Sequence, residues 1–148
     1  MSYQIPSTVV WENTGFHLPE TKVDKKVTIV VNAASKWTAN SHAGGGGLYD
    51  ARGWQGHKPG GPGYKVPTAD EGCLIGKIEG TAFVFTFDPK LNKVEGPSGG
   101  FLTLAFDIDG PLSGSIFMGI NDVAAGIGDN GGEMQVISID WVEKKPRD

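Results

Sequence analysis

The apolar residues of this chain recur at every second position. Val27, Ile29 and Val31 alternate with Thr28 and Asn32, and Phe83, Phe85 and Phe87 repeat the rhythm. Leu102, Leu104 and Phe106 follow it, then Ile116, Met118 and Ile120, and a last run sets Ile137, Ile139 and Trp141 on one face. Successive side chains of a strand point to opposite faces, so each run predicts a half-buried strand. Clusters of Gly, Pro, Asn and Asp divide the runs, and no segment of helical length carries a 3.6-residue apolar stripe. The expectation is an all-β chain, a single-domain antiparallel β-sandwich of jelly-roll-like form.

Length agrees with that reading: 148 residues suit one domain, 1–148, able to bury its own core. The 23 glycines fit a turn-rich protein. Net charge is −4 with no basic stripe, which argues against nucleic acid and anionic membrane as partners. Cys73, the single cysteine, excludes an internal disulfide and reads as a small buried hydrophobe in Cys73-Leu74-Ile75. The start, Met1 to Pro6, lacks a basic segment and an apolar signal core, and no apolar run approaches a membrane span. Synthesis as a soluble cytoplasmic chain is expected, without membrane insertion; release or surface association would need a route without a signal peptide. Residues 1–18, with Trp11 and Phe16, form an N-terminal extension or a first strand.

Three stretches break the alternation. Residues 43–63 hold nine of the glycines with Trp54, Gln55, His57 and two prolines, which suits a binding loop better than a connector. Asp88 to Gly100 reads as an ordinary connection. The third, residues 121–132, packs Asn121, Asp122, Asp129 and Asn130 into a glycine-rich turn between two strand-like runs. Side-chain oxygens at that density, with glycines freeing the backbone to turn carbonyls inward, suit a hard cation such as Ca²⁺. A plain strand-to-strand turn also favours Asn, Asp and Gly, so composition alone leaves both readings open.

An EF-hand is excluded by spacing. Setting Gly110 of Asp107-Ile108-Asp109-Gly110 at loop position six puts Ala105 first and Ile116 last, and neither can be a ligand. Starting at Asp122 places Glu133 last, but Ala124, Gly126 and Ile127 then occupy ligand or turn positions.

The loop resembles the signature of the small soluble bacterial galactophilic lectins, the calcium-dependent PA-I type. Asn121-Asp122-Val123, a short spacer, and Gly128-Asp129-Asn130 before the final strand carry the likeness. Val27-Thr28-Ile29-Val30 leading to Trp37, and Leu74-Ile75-Gly76-Lys77-Ile78, extend it over roughly residues 23–142. The resemblance implies a galactose-binding lectin sandwich with one Ca²⁺. Asp122, Asp129 and Asn130 would be side-chain ligands, with main-chain carbonyls from Trp37 and Gly126. Two adjacent sugar hydroxyls would complete the metal shell, with Asp122, Asp129 and the backbone of Val123 also bonding the sugar. His57, followed by Pro59, takes the place of the family's sugar-gripping histidine. The family's glutamine downstream of it is replaced by Gly60 and Gly61, leaving Gln55 as a substitute and Trp54 as a stacking platform or a loop anchor.

The partners implied are galactose-containing glycans or glycoconjugates, met by a homo-oligomer, dimer or tetramer, because one weak site gains from multivalency. Two other classes compete. A structural or adhesive sandwich would use calcium only to stiffen the turn. A glycoside hydrolase would need a carboxylate pair. Asp50, Asp70, Glu71, Asp107 and Asp109 are available but sit in no acid–base motif, and no nucleophile elbow or phosphate loop occurs, so the chain is not expected to be an enzyme. His17 and His42 read as surface residues.

Overall fold

A computed structural model describes residues 2–9, 11–38, 48–55, 65–122 and 130–144. Among these residues there are ten strands and no helix: β1 (Tyr3–Pro6), β2 (Glu12–Leu18), β3 (Lys25–Asn32), β4 (Trp37–Thr38), β5 (Leu74–Ile78), β6 (Val84–Thr86), β7 (Val94–Ser98), β8 (Phe101–Ile108), β9 (Gly114–Ile120) and β10 (Gly131–Glu143). Every named pairing is antiparallel. One sheet runs β1-β10-β3-β8-β7, with β4 on the early part of β10, and the other runs β2-β9-β5-β6.

The alternating runs explain why two sheets face each other. Val27, Ile29 and Val31 are fully buried and pair in register with Phe106, Leu104 and Leu102. From the second sheet, Leu74, Ile78, Phe85, Ile116, Met118 and Ile120 join the same core. Each such aliphatic or aromatic side chain contributes roughly 1.5–3 kcal/mol of transfer free energy. The N-terminal residues divide between the layers: β1 pairs with β10 and β2 with β9.

Two features depart from the alternation read from sequence. The run Ile137-Ile139-Trp141 does not keep one face, because β10 shifts register between Val136 and Ser138. Met134 and Val136 are buried before the shift and Ile139 after it, while Ile137 is only half-buried. One extra residue in a strand reverses its parity, and alternation cannot reveal a bulge whose residues are apolar on both sides. The second departure is the connection Asp88–Gly100, which contains an edge strand. β7 pairs with β8 through Val94, Glu95 and Ser98 with a register shift of its own. Its exposed, Gly- and Pro-bearing sequence hides it, since an edge strand needs no apolar face.

Candidate functional site

β9 ends at Ile120 and β10 begins at Gly131, so residues 121–130 join two strands at one end of the sandwich. Two asparagines flank this connection, and their environments differ. Asn121 is fully buried: its Oδ1 accepts the Val66 N–H, and its Nδ2 reaches the carbonyls of Val66, Ala69 and Asp70 at 2.9–3.1 Å. Its backbone is tied as well, donating to Cys73 O and accepting from Gly72 N–H. Asn121 is therefore a saturated clamp that fastens residues 66–73 to the end of β9.

Asn130 is also buried, at 8% exposure, but half of its amide is used. Nδ2 donates to Ser7 O at 2.9 Å, which fixes the amide plane, while the buried Oδ1 accepts no hydrogen bond. Ser7 is held in turn by its Oγ and N–H, both donating to Gly132 O. Burying an amide oxygen without a donor costs on the order of 1–3 kcal/mol unless something else meets it.

Trp37 lies at the same end. Through β4 it stands opposite Gly132, two residues beyond Asn130. Its indole is fully buried and donates to Gly72 O at 2.7 Å, which links it to the Asn121 clamp. The Trp37 carbonyl accepts the Tyr49 N–H at 2.9 Å, leaving one lone pair. Close approach demands Gly132, whose φ is +84° and where a Cβ would lie 2.5 Å from Lys36 O. At Gly72, with φ +80°, a Cβ would fall on the Tyr49 ring.

Asp122 is buried, at 4% exposure, one residue past the Asn121 clamp. Lys65 is its cationic neighbour: the ammonium donates to Ile120 O at 3.0 Å and feels the Asp122 charge. Burial pulls the Lys65 ammonium below its ordinary pKa, and Asp122 offsets part of that.

The structure thus brings Trp37, Asp122 and Asn130 to one end of the fold, beside Ser7, Asn121 and Lys65. Val123, Gly126, Asp129 and His57 lie outside the described residues. Gln55 is exposed. Trp54 is half-buried against the main core, and its N–H donates to Glu71 O, so its ring anchors the long loop. That loop is welded to the sandwich at its middle: Ala51 is fully buried and Tyr49 bridges to Trp37. His17 is exposed on β2.

Sequence reasoning missed Ser7, Lys65 and the clamping role of Asn121. No local signal marks Ser7, because its partners are more than a hundred residues away. Asn121 did stand in the loop motif, yet residue type cannot tell a saturated amide from an available one.

Among the described residues, no three of His, Cys, Asp and Glu gather as a metal-binding group. The oxygens at this end are one carboxylate, one amide oxygen and a main-chain carbonyl, hard donors whose chemistry fits Ca²⁺ rather than a thiolate- or imidazole-seeking metal.

The buried carboxylates Asp70 and Asp88 share one cation. Lys90 bridges buried Asp70 and Asp88 at 2.6 and 3.3 Å. Burial alone would lower the Lys90 pKa, but the hydrogen bonds it donates to these carboxylates hold it above the ordinary value. Cys73 beside them is fully buried, and burial, aided by Asp88 and Asp70, pushes its thiol well above the ordinary range. Such a thiol is inert. A separate groove of about 490 Å³, lined by Lys26, Thr28, Glu95 and Asp107 among others, sits on the outer face of the larger sheet. Its place near the Lys25 end of β3 sets it toward the opposite end of the sheet from Gly131. Comparison with known protein families and with curated proteins finds no match to this chain.

Proposed function

We propose that the chain is a calcium-dependent lectin for galactosides, with its site at the end of the sandwich where β9 passes into β10. The observation that carries this reading is the buried Oδ1 of Asn130, which accepts no hydrogen bond while its own Nδ2 is pinned on Ser7 O. A fold tolerates an orphaned buried oxygen when a ligand supplies its partner.

Asn130 Oδ1, the Asp122 carboxylate and the second lone pair of the Trp37 carbonyl are the described donors; Asp129 and Gly126 complete the set implied by the family resemblance. Ca²⁺, when bound, offers open coordination positions to two adjacent sugar hydroxyls. Asp122 then accepts a hydrogen bond from a hydroxyl polarised in this way, a charge-assisted contact stronger than a neutral one. The Asn121 clamp keeps the Asp122 backbone in place, so little ordering is left to do on binding. Affinity for a single sugar stays modest, and assembly into a homo-oligomer would raise it by multivalency.

Calorimetric titration with methyl galactoside, first with calcium and then with a chelator, tests the reading. Heat in calcium alone supports it; no heat in either condition sinks it. A calcium-dependent rise in stability without any sugar heat would instead favour a structural or adhesive sandwich with a stiffening metal. Asp122→Ala is expected to abolish calcium and sugar binding together. His57→Ala is expected to weaken sugar binding alone, and a parallel loss of calcium would disprove the loop assignment.

A further inference from the structure

We propose that the outer face of the smaller sheet, beside Ile120 and Asp122, is a second sugar subsite that receives an acidic saccharide unit attached to the galactoside. Four side chains make it: Trp11, Lys65, Lys77 and Phe117. The inference rests on the galactoside reading and deepens it by naming the substrate class.

Strand register sets the four together. Lys77 on β5 stands opposite Phe117 on β9, and both belong to the parity that faces away from the core, since Gly76, Ile78, Ile116 and Met118 face inward. Asn13 on β2 pairs with Phe117, which carries Trp11, two residues earlier, along the same face toward residues 65–75. The Lys77 ammonium lies 4.8 Å from the centre of the Trp11 ring and 5.6 Å from that of Phe117, and Lys65 lies 5.5 Å from Trp11. Two cations therefore flank one indole.

Lys90, Lys93 and Lys144 each sit within 4 Å of a carboxylate, whereas neither Lys65 nor Lys77 forms a salt bridge among the described residues. Both are half-buried. Lys77 is a partly desolvated ammonium held by two ring faces, and Lys65 adds one hydrogen bond to Ile120 O, so neither is neutralised by a salt bridge and both keep capacity for an anion. The aromatic faces add what a sugar needs besides charge, an apolar platform for its C–H surface.

Continuity with the proposed galactoside site is direct. Lys65 donates to Ile120 O, two residues before Asp122, and the next residue, Val66, is gripped by Asn121. Lys65 thus links the buried Asp122, whose charge it feels, to Trp11, and Trp11 leads on to Lys77 and Phe117. A carboxylate or sulfate on the sugar neighbouring the galactose would lie over the two ammoniums, with its ring against Trp11.

The test compares, in calcium, a neutral galactose disaccharide with two acidic forms of it: one whose second unit is a uronate, one whose second unit bears a sulfate. The acidic forms are expected to bind about fivefold tighter, the scale of one or two exposed ion pairs, and to lose most of that advantage in 0.5 M salt. In Lys77→Glu the ratio of acidic to neutral affinity should fall to one or below. Lys65→Gln should reduce it partly. Reading a ratio within each protein cancels any partial loss of folded material.

Equal affinities for acidic and neutral disaccharides in the unmodified protein would overturn the subsite and leave the galactoside reading standing. A ratio unmoved in both lysine variants would overturn it equally. No binding of any disaccharide overturns both readings. Acidic binding that persists in chelator keeps the subsite and overturns the calcium step. The two acidic forms separate the sources: preference for one identifies the carboxylate or the sulfate as the group recognised.

Discussion

At one end of the sandwich the loop oxygens already have a cation. Lys25 is fully buried at the start of β3, and its ammonium donates to Gly110 O at 2.7 Å, Leu112 O at 3.1 Å and Thr21 Oγ1 at 3.2 Å. Burial lowers its pKa below the ordinary value, and the charges of Glu20, Asp24 and Glu143 restore only part of it. At the other end, on either side of the β9–β10 loop, Asp122 and Asn130 are buried as well, but Asn130 Oδ1 has no donor. β10 spans both, running from Gly131 beside that loop to Glu143 opposite Lys25. A covalently attached ammonium saturates the oxygens around Lys25 permanently; at the other end Lys65 reaches Ile120 O and leaves Asn130 Oδ1 without a donor. The first arrangement suits architecture, the second suits binding.

The contrast can be broken most decisively at Lys25. Lys25→Met removes three donations from a buried ammonium, to Gly110 O, Leu112 O and Thr21 Oγ1, so stability should fall by about 3 kcal/mol. Urea unfolding measures it, and calcium should not rescue the loss. A change below about 1 kcal/mol would show that the ammonium is dispensable.

Next in size is the response of the opposite end to metal. Calcium at a hundredfold excess over its dissociation constant should stabilise the protein by about 2.7 kcal/mol. Thermal melts with calcium and with chelator read this directly. Asp122→Ala and Asn130→Ala should show no such difference, and a retained calcium response in both would rule out this end as the metal site.

Without calcium the same end should prove tolerant. Asn130→Ala forfeits only the hydrogen bond to Ser7 O, so the chelated variant should lie within about 1 kcal/mol of the chelated parent. A larger loss would make Asn130 an architectural residue like Asn121.

The smallest effect concerns pH. Burial disfavours the Asp50 carboxylate, but the Arg52 hydrogen bonds at 2.8–3.2 Å outweigh this and hold its pKa below 3.8. A depressed folded-state pKa stabilises the protein above the unfolded value and ceases to do so as pH falls through the folded one. Asp50→Asn should therefore cost about 1 kcal/mol at pH 7, and the gap to the parent should close as pH drops below about 4. Urea midpoints at pH 7, 4 and 3 suffice. A gap that widens in acid would contradict the ion-pair assignment.

Period-two alternation alone carried the fold class, because a face buried between sheets admits apolar residues at every second position and little else. The inward faces of β3, β8 and β9 could be named before any coordinates. Where an edge strand needs no apolar face, as in β7, or a bulge reverses parity, as at Ile137, the same signal falls silent or misleads. Loop chemistry was equally visible: Asp122 and Asn130 stood out as oxygen donors in a glycine-rich turn.

Only the folded chain separates donors that are spent from those that are open. Asn121 and Asn130 are the same residue type, nine positions apart, yet one meets partners from residues 66–70 and the other has its nitrogen held by Ser7 while its oxygen waits. Likewise nothing local marks Lys65, Lys77 and Trp11 as neighbours. Hydrophobic pattern is a one-dimensional property, written by burial on each strand; hydrogen-bond saturation and charge pairing depend on segments distant in sequence, and exist only once the sheets have set them side by side.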